Sequence, residues 1–256
     1  MSEVLTSVSD GIGRVVLNRP EAGNAINMAL AEGLFAALTQ LHADADVRCI
    51  VLEANGPLFC AGGDLMDFGG GGPEEIPARI HALATALHRS IELIEMMDKP
   101  VVMAIQGTAA GAGVVLGASG DIVLASDQVK FVPAYGRVGL TPDGGSTWYL
   151  PRLMGDRRAT EMLLTGRAMS ARGAAESGLV TRVVPHDTLG TETASVARAL
   201  ADGTGMSVGE TRRLIRSGRN ASLHDHLQEE AHSVSRASEH PGAREAIAAF
   251  VARTSA

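Results

Sequence analysis

The sequence predicts an α/β fold in its first part and an all-helical region in its last. Short apolar runs with strand composition alternate with segments of helical periodicity as far as about residue 185, an alternation that is typical of α/β proteins. After Pro185 only helical patterns follow. We therefore predict a core domain over residues 1–185 and a helical C-terminal region over residues 186–256.

The composition indicates a large domain with an aliphatic core. The chain has 256 residues, of which 45% are hydrophobic and only 3% aromatic. A chain of this length can bury a substantial core without disulfides or metals. Its formal net charge is −7, whereas domains that bind nucleic acid usually present a basic face. We expect no nucleic-acid partner.

Nothing in the sequence indicates export or membrane insertion. The two cysteines, Cys49 and Cys60, are too few for a disulfide framework. The first residues lack the basic segment and apolar run of a signal peptide, and no apolar stretch approaches the roughly 20 residues of a membrane span. We expect a cytoplasmic protein with reduced thiols and no membrane contact.

Apolar runs bounded by turn residues predict the strands. They cover residues 12–18, 47–53, 101–106, 121–132, where two short strands are expected, and 179–184.

Apolar periodicity predicts the helices. Leucines at positions 30, 34, 38 and 41 have helical spacing, with Asn27 as the N-cap. A second stripe, between residues 80 and 94, predicts a helix that ends before Lys99-Pro100, because the residue before proline avoids the helical region. Later helices are predicted over residues 157–166, 170–178 and from 192 onward.

Two glycine-rich segments each lie between a strand and a helix. They read CAGGDL (60–65) and GTAAGAGVVL (107–116). Without side chains, their backbone N–H groups are open to a ligand, and two such groups aimed at one point would form an oxyanion hole. The alternative is that small residues only allow a helix to pack closely on a strand.

The same segments carry a resemblance to a known family. LNRPEAGNAIN (17–27), LFCAGGDL (58–65), KPVVMAIQGTAAGAG (99–113), Asp121 and GLTPDGGSTWYLPRLMG (139–155) resemble the crotonase, or enoyl-CoA hydratase/isomerase, superfamily. The resemblance implies a spiral of ββα units with a helical C-terminal trimerisation region. It also implies a homotrimer or dimer of trimers, and an acyl-CoA thioester substrate with no cofactor besides its coenzyme A.

The resemblance also implies the binding residues. The oxyanion hole would be formed by the N–H groups of Gly63 and Ala112. The adenine pocket would be built largely from backbone, and the acyl site from larger side chains. The substrate-binding residues would be Cys60, Ala61, Gly62, Asp64, Leu65, Tyr135 and Trp148.

The sequence differs from the family pattern at the two catalytic positions of a typical hydratase. A typical hydratase of this family uses two glutamates, and the matching positions here are Val115 and Tyr135. Valine does not titrate, and tyrosine, with an ordinary pKa near 10, is a poor base at neutral pH. We therefore do not expect the two-carboxylate hydration of a 2-enoyl-CoA.

Asp143 is the candidate catalytic residue. PDGGSTW (142–148) resembles the isomerases of phenylacetate and fatty-acid breakdown, in which the aspartate is the acid/base. One carboxylate suffices to shift a double bond through an enolate. The alternative role for Asp143 is that of a turn residue or helix N-cap.

Three other functions remain open. Asp143, Tyr135 and His88 also match the 4-chlorobenzoyl-CoA dehalogenase branch, where the aspartate is a nucleophile, although Tyr135 replaces that branch's tryptophan. His88 is otherwise a half-exposed residue on the flank of its helix. The second possibility is another enolate reaction of the same family, including residual hydration. The third is a member that binds acyl-CoA without catalysis.

The remaining polar residues have structural interpretations. We expect Asp64 to orient its loop, Cys60 to pack in the core, and Arg19 to approach a phosphate of coenzyme A or to lie on the surface. The HDH at residues 224–226 is a weak metal signal, and we predict no metal site. The glycine-rich loop over residues 69–77 should border the acyl pocket.

Overall fold

The strands form two sheets at the centre of the protein. A computed structural model of the chain describes residues 2–68, 72–203 and 205–254. In chain order its strands are β1 (Val4–Ser9), β2 (Ile12–Leu17), β3 (Cys49–Ala54), β4 (Leu58–Cys60), β5 (Val101–Ile105), β6 (Thr108–Ala110), β7 (Ile122–Ser126), β8 (Lys130–Val132), β9 (Met169–Ser170) and β10 (Arg182–Val184).

Both sheets are mostly parallel. The larger sheet has the order β1-β2-β3-β5-β7-β10 and the smaller one β4-β6-β8-β9. Only the first strand of the larger sheet and the last of the smaller one pair antiparallel, β1 with β2 and β9 with β8. Neighbouring parallel strands end at the same edge of a sheet, so the turns that follow β4 and β6 lie side by side.

Helices fill the crossovers and the C-terminal region. In chain order they are α1 (Met28–Ala43), α2 (Leu65–Phe68), α3 (Ile76–Met96), α4 (Ala112–Ala118), α5 (Ser146–Met154), α6 (Asp156–Thr165), α7 (Ala171–Ser177), α8 (Leu189–Asp202), α9 (Gly205–Ser217), α10 (Leu223–Glu239) and α11 (Pro241–Thr254). Short 3₁₀ turns cover Pro20–Ala22, Pro73–Glu75, Tyr135–Val138 and His186–Thr188.

The larger sheet is covered on both faces. On one face, buried leucines of α1 and α3 join the main core cluster. On the other face, Leu189, Ala197 and Ala201 of α8 pack against apolar side chains of the sheet. The first long helix after residue 185 therefore contributes to the packing of the sheet. The division into residues 1–185 and 186–256 stays a prediction.

The α/β class and the main elements are confirmed. Asn27 caps α1, because its Oδ1 accepts a hydrogen bond from the Leu30 N–H at 2.8 Å. The sequence missed β1, in which only Val4 is buried, because an exposed edge strand lacks the apolar pattern of a core strand. It also missed β4, β6 and β9, which are too short, at two or three residues each, to show a period.

A cluster of ion pairs joins α9 to the rest of the core, and we call it the α9 arginine cluster. Arg212 and Arg216 bind opposite oxygens of Asp121, at 2.7 and 2.8 Å. Arg216 also binds Glu95, and Arg219 reaches the same carboxylate at 2.9 Å. All the carboxylate oxygens of this cluster therefore face cations.

The α9 arginine cluster also fixes the end of α3. The Arg212 side chain is only 6% exposed and donates to the carbonyls of Ile94 and Met97. The last carbonyls of a helix lack partners within the helix, so Arg212 supplies the missing donors. Residues earlier in α3 line the cavity described below, and the cluster therefore holds the helix that forms one cavity wall.

Within the described ranges, no helix combines the length and the apolar character needed to cross a bilayer.

Candidate active site

A cavity of about 360 Å³ lies where the two glycine-rich turns meet α3 and the segment over residues 134–143. Its walls are mainly apolar. Seven of the predicted residues line it, among them Gly63, Ala112, Tyr135 and Asp143. The fold therefore brings both proposed amide donors and the candidate carboxylate into one space.

The two turns touch through their backbones. Strands β4 and β6 are parallel neighbours, so the turns leave the sheet at the same edge. Gly62 and Gly111 have φ angles of +93° and +50°, a region that favours glycine. A Cβ on Gly62 would lie 2.9 Å from the carbonyl oxygen of Ala110. Glycine is therefore required at residue 62 for both conformation and space.

Each turn leaves one amide at the cavity without a partner. On either side of Gly63, the Ile26 N–H donates to the Gly62 carbonyl at 2.7 Å and the Asp64 N–H donates to the Ile26 carbonyl at 2.9 Å. Among the described residues, the N–H groups of Gly63 and of Ala112, the first residue of α4, have no acceptor. These two donors are available to a ligand oxygen.

Asp143 lies in a tight turn before α5. Gly144 and Gly145 follow it with φ angles of +61° and +85°, and the Ser146 N–H and hydroxyl both donate to the Asp143 carbonyl, at 3.0 and 2.8 Å. The N-cap position of α5 is Gly145, and no side chain caps the helix. The carboxylate of Asp143 is therefore not used as a helix cap.

Tyr135 holds one oxygen of that carboxylate. Its hydroxyl donates to Oδ1 of Asp143 at 2.7 Å and lies 3.4 Å from the Ser146 hydroxyl. Burial, together with the negative charge of Asp143, raises the pKa of Tyr135 well above its usual value. Tyr135 therefore stays protonated and remains a donor at any working pH. Within the described chain, Oδ2 of Asp143 accepts no hydrogen bond.

His88 contacts the same turn from α3. Its Nε2 accepts a hydrogen bond from the Gly144 N–H at 3.1 Å. An accepting Nε2 requires the neutral ring to carry its proton on Nδ1. The sequence placed His88 on the flank of its helix and could not show that it reaches the residue next to Asp143.

Val115 fills the space behind the turn. Its side chain is fully buried, and a Cβ on Gly144 would lie 2.7 Å from its Cγ1. A methyl group of Val115 is thus packed on the Asp143 turn, and the match of this position to a hydratase glutamate stays a prediction.

Comparison with known proteins decides the family. The family model described as enoyl-CoA hydratase/isomerase matches residues 7–256. The 1,2-epoxyphenylacetyl-CoA isomerase of Escherichia coli (strain K12) is 34% identical over 255 residues, which cover 100% of this chain and 97% of that protein. The chain belongs to the enoyl-CoA hydratase/isomerase family.

Other members of the enoyl-CoA hydratase/isomerase family agree in fold and sequence. The crystal structure of an enoyl-CoA hydratase from Polaromonas sp. JS666 superposes with a TM-score of 0.92 at 30% identity, over 98% of this chain and 97% of that one. The 4-chlorobenzoyl coenzyme A dehalogenase-2 of Arthrobacter sp is 32% identical over 94% of this chain and 88% of that protein. The fold is therefore the crotonase fold of this family.

Not every predicted binding residue faces the cavity of this family member. Ala61, Gly62 and Leu65 line it, as do Gly63, Ala112, Tyr135 and Asp143. Cys60, Asp64 and Trp148 do not belong to its lining. Their predicted roles in substrate binding remain untested.

Cys60 and Asp64 hold the first glycine turn from behind. Cys60 is fully buried, and burial raises the pKa of its thiol to about 12, which is the state of a packing cysteine. Asp64 binds Arg19 at 2.6 Å and accepts from the Met66 N–H at 3.0 Å. Burial raises the pKa of Asp64, but these hydrogen bonds outweigh it and leave the pKa below its usual value.

Arg19 and Trp148 both have internal partners. Besides Asp64, Arg19 donates to the Ala25 carbonyl at 3.0 Å, so its guanidinium braces the turn from inside the protein. Trp148 lies against the guanidinium of Arg152, 4.2 Å from its ring centre, and meets the ring of Tyr149 edge-on.

The structure describes the HDH segment at residues 224–226 and part of the glycine-rich loop over residues 69–77. The described residues contain no group of three potential metal-ligating side chains, and His226 lies 3.5 Å from Glu230. The glycine-rich loop falls partly outside the described residues, at 69–71, and resumes as the 3₁₀ turn Pro73–Glu75 before α3.

The sequence did not identify the rest of the cavity wall. Ile80, Leu83 and Leu87 of α3 face the cavity. Their spacing along the helix predicts that they point toward the core, but not that they border a cavity. Apolar periodicity cannot separate a side chain that packs on a neighbour from one that borders an empty space. Arg137 lies in a short 3₁₀ turn and Leu140 in the loop that follows it, and neither segment is long enough to show a period.

Proposed function

We propose that this protein is an acyl-CoA isomerase that shifts a double bond with Asp143 as its single acid/base. The observation that carries the proposal is the position of Asp143 in the cavity of Gly63 and Ala112. Among the residues that the structure describes there, Asp143 is the only carboxylate in the lining. The name of the 1,2-epoxyphenylacetyl-CoA isomerase, at 34% identity, supports an isomerase.

The proposed reaction uses the two amides and one carboxylate oxygen. The thioester oxygen of a 3-enoyl-CoA accepts hydrogen bonds from the Gly63 and Ala112 N–H groups. Asp143 takes a proton from C2, and the electrons of that bond delocalise onto the thioester oxygen as a dienolate. Asp143 then returns the proton to C4, which leaves a 2-enoyl-CoA. No oxidant, metal or further cofactor is needed, because the coenzyme A arrives with the substrate.

Packing around the turn disfavours hydration. Hydration needs groups that hold and activate a water molecule, and the two hydratase positions carry Val115 and Tyr135 instead. Val115 is buried against Gly144, and Tyr135 is committed to Asp143. A member that binds acyl-CoA without reaction is disfavoured by the unpaired Oδ2 of Asp143.

The test is an exchange experiment with a matched pair of variants. The protein is incubated with a 3-enoyl-CoA in D₂O, and NMR follows the position of the double bond and deuterium at C2 and C4. Asp143→Asn should abolish both signals while it retains binding. Asp127→Asn, which changes an exposed aspartate outside the cavity, should react like the wild type.

Each result decides between the alternatives. Migration of the double bond that depends on Asp143 supports the isomerase. Undiminished migration in Asp143→Asn refutes Asp143 as the acid/base. Binding without migration or exchange in the wild type favours a non-catalytic member.

Dehalogenation is a second candidate because of one contact. His88 Nε2 accepts the N–H of Gly144, which immediately follows Asp143, so a histidine stands next to the turn of the candidate carboxylate. A 4-chlorobenzoyl coenzyme A dehalogenase is 32% identical. Release of chloride from 4-chlorobenzoyl-CoA, dependent on both Asp143 and His88, would favour this function over the isomerase.

We also propose that the protein assembles as a homotrimer or a dimer of trimers. Several apolar side chains on α10 and α11 are more than half exposed, namely Leu227, Val234, Ile247 and Phe250. Exposed apolar surfaces of this kind are typical of association sites. Light scattering of the purified protein would give the mass, and a monomer would refute the proposal.

A further inference from the structure

One hydrogen bond distinguishes the two oxygens of Asp143. Oδ1 accepts the Tyr135 hydroxyl at 2.7 Å, and Oδ2 has no partner in the described part of the chain. We propose that Tyr135 is a positioning residue that fixes the carboxylate so that Oδ2 alone performs both proton transfers. This role rests on the proposed isomerase function.

The side chain of aspartate needs such a constraint. Rotation about the bond to its carboxylate is broad, without sharp rotamers, so an untethered Asp143 would present either oxygen over a range of directions. Here the same oxygen must reach C2 and then C4 of one bound acyl group. A fixed carboxylate plane keeps Oδ2 in reach of both carbons, and catalysis is sensitive to misplacement of this kind.

The contacts of Tyr135 hold its hydroxyl firmly enough to fix the carboxylate of Asp143. Its hydroxyl lies between Oδ1 of Asp143 and the hydroxyl of Ser146, at 2.7 and 3.4 Å, and Ser146 is only 1% exposed. Its own carbonyl accepts the Leu140 N–H at 3.1 Å. The donor thus belongs to the same structured segment as the carboxylate, eight residues earlier in the chain.

The chain offers a matched control, because it has only two tyrosines. Tyr149 donates to the carboxylate of Glu95 at 2.8 Å and does not line the cavity. Tyr135→Phe and Tyr149→Phe therefore each remove one hydrogen bond from tyrosine to carboxylate, one at the cavity and one in the α9 arginine cluster.

The experiment compares kcat, KM and melting temperature for both variants and for Asp143→Asn. We expect Tyr135→Phe to lower kcat at least about tenfold, equivalent to about 1.4 kcal/mol, with KM changed less than about twofold. Tyr149→Phe should keep the wild-type kcat. A Tyr135→Phe enzyme with wild-type kcat, beside an inactive Asp143→Asn, would overturn the inference and leave the isomerase intact. Full activity of Asp143→Asn would instead refute the proposed function.

A spectroscopic measurement covers the case in which Tyr135→Phe does not fold. In Tyr149→Phe protein labelled with 3-fluorotyrosine, the single fluorine resonance reports on Tyr135. Asp143→Asn should shift this resonance, because it replaces the charged acceptor of the phenol. An unchanged resonance would show that Tyr135 does not hold Asp143 in solution, which contradicts the inference.

Discussion

Two aspartates in this protein have opposite surroundings. Asp143 lies in a cavity with mainly apolar walls, accepts one hydrogen bond from a neutral phenol, and keeps Oδ2 open. Asp121 binds Arg212 through one oxygen and Arg216 through the other, and it also accepts the Val101 N–H at 2.8 Å.

Under the proposed function, the difference separates a reactive carboxylate from a structural one. A base needs an accessible lone pair and no cation that would hold its negative charge. A carboxylate that joins elements is most useful when each oxygen is occupied. The number and charge of the partners, more than burial, therefore distinguishes the roles of Asp143 and Asp121.

Asp143→Asn gives the largest expected effect on function. An amide cannot take a proton from C2, so kcat should fall by at least about 1,000-fold, equivalent to about 4 kcal/mol. The melting temperature should stay near the wild-type value, because the amide can still accept from Tyr135. Steady-state kinetics and calorimetry on the same preparation measure both. A large loss of stability would contradict the assigned difference between the two aspartates.

Asp121→Asn should show the reverse pattern. Loss of the charge leaves the Arg212 guanidinium, which is only 6% exposed, without its carboxylate partner, and leaves Arg216 with Glu95 alone. The free energy of unfolding should fall by about 3 kcal/mol, while KM and kcat of the remaining folded enzyme change little. Urea denaturation measures the loss. Unchanged stability would show that α9 docks without this carboxylate.

Asp64→Asn provides an intermediate case. Asp64 lies in a glycine turn next to the cavity, but it is paired with Arg19 at 2.6 Å, as Asp121 is paired with its arginines. We expect a loss of about 2 kcal/mol and a fall in kcat of less than tenfold, because the Gly63 amide loses support but stays in place. An effect on kcat as large as that of Asp143→Asn would give Asp64 a direct role in catalysis.

The smallest expected effect is a pH-dependent change in the free energy of unfolding that involves Glu210. Hydrogen bonds from Arg213 of the same helix and from Ser233 of α10 lower the pKa of Glu210 from 4.5 to about 2. A lowered pKa means that this stabilisation is complete above pH 4.5 and disappears as the pH falls through about 2.

Glu210→Gln should therefore cost about 1 kcal/mol at neutral pH, since solvent screens these partly exposed pairs. The difference from the wild type should vanish toward pH 2. Denaturation at several pH values tests this, and a difference that does not depend on pH would show that the charge of Glu210 is not responsible.

The sequence predicted the fold well where residues repeat with a period. The leucines of α1 and the apolar runs of β3 and β5 have patterns set by burial in a sheet protein. Strand β1 was missed because an edge strand with one buried residue has almost no such pattern. Likewise, β4 and β6 are short strands defined by their pairing in the smaller sheet, β4 with β6 and β6 with β8.

The site was predictable only through its motifs. The glycines of both turns and Asp143 stand in recognisable stretches, and the structure brings them together. The contacts of Tyr135, His88 and Val115 with the Asp143 turn depend on packing between α3, α4 and a loop. No local pattern encodes such distances between elements.

The contact between Val115 and Gly144 has a consequence for engineering. The methyl group occupies the space that a longer acidic side chain would need, and the glycine beside it tolerates no Cβ. A single exchange of valine for glutamate would therefore meet the turn before it could hold a water molecule. A glutamate at residue 115 therefore requires a rebuilt turn as well as the exchange of one side chain.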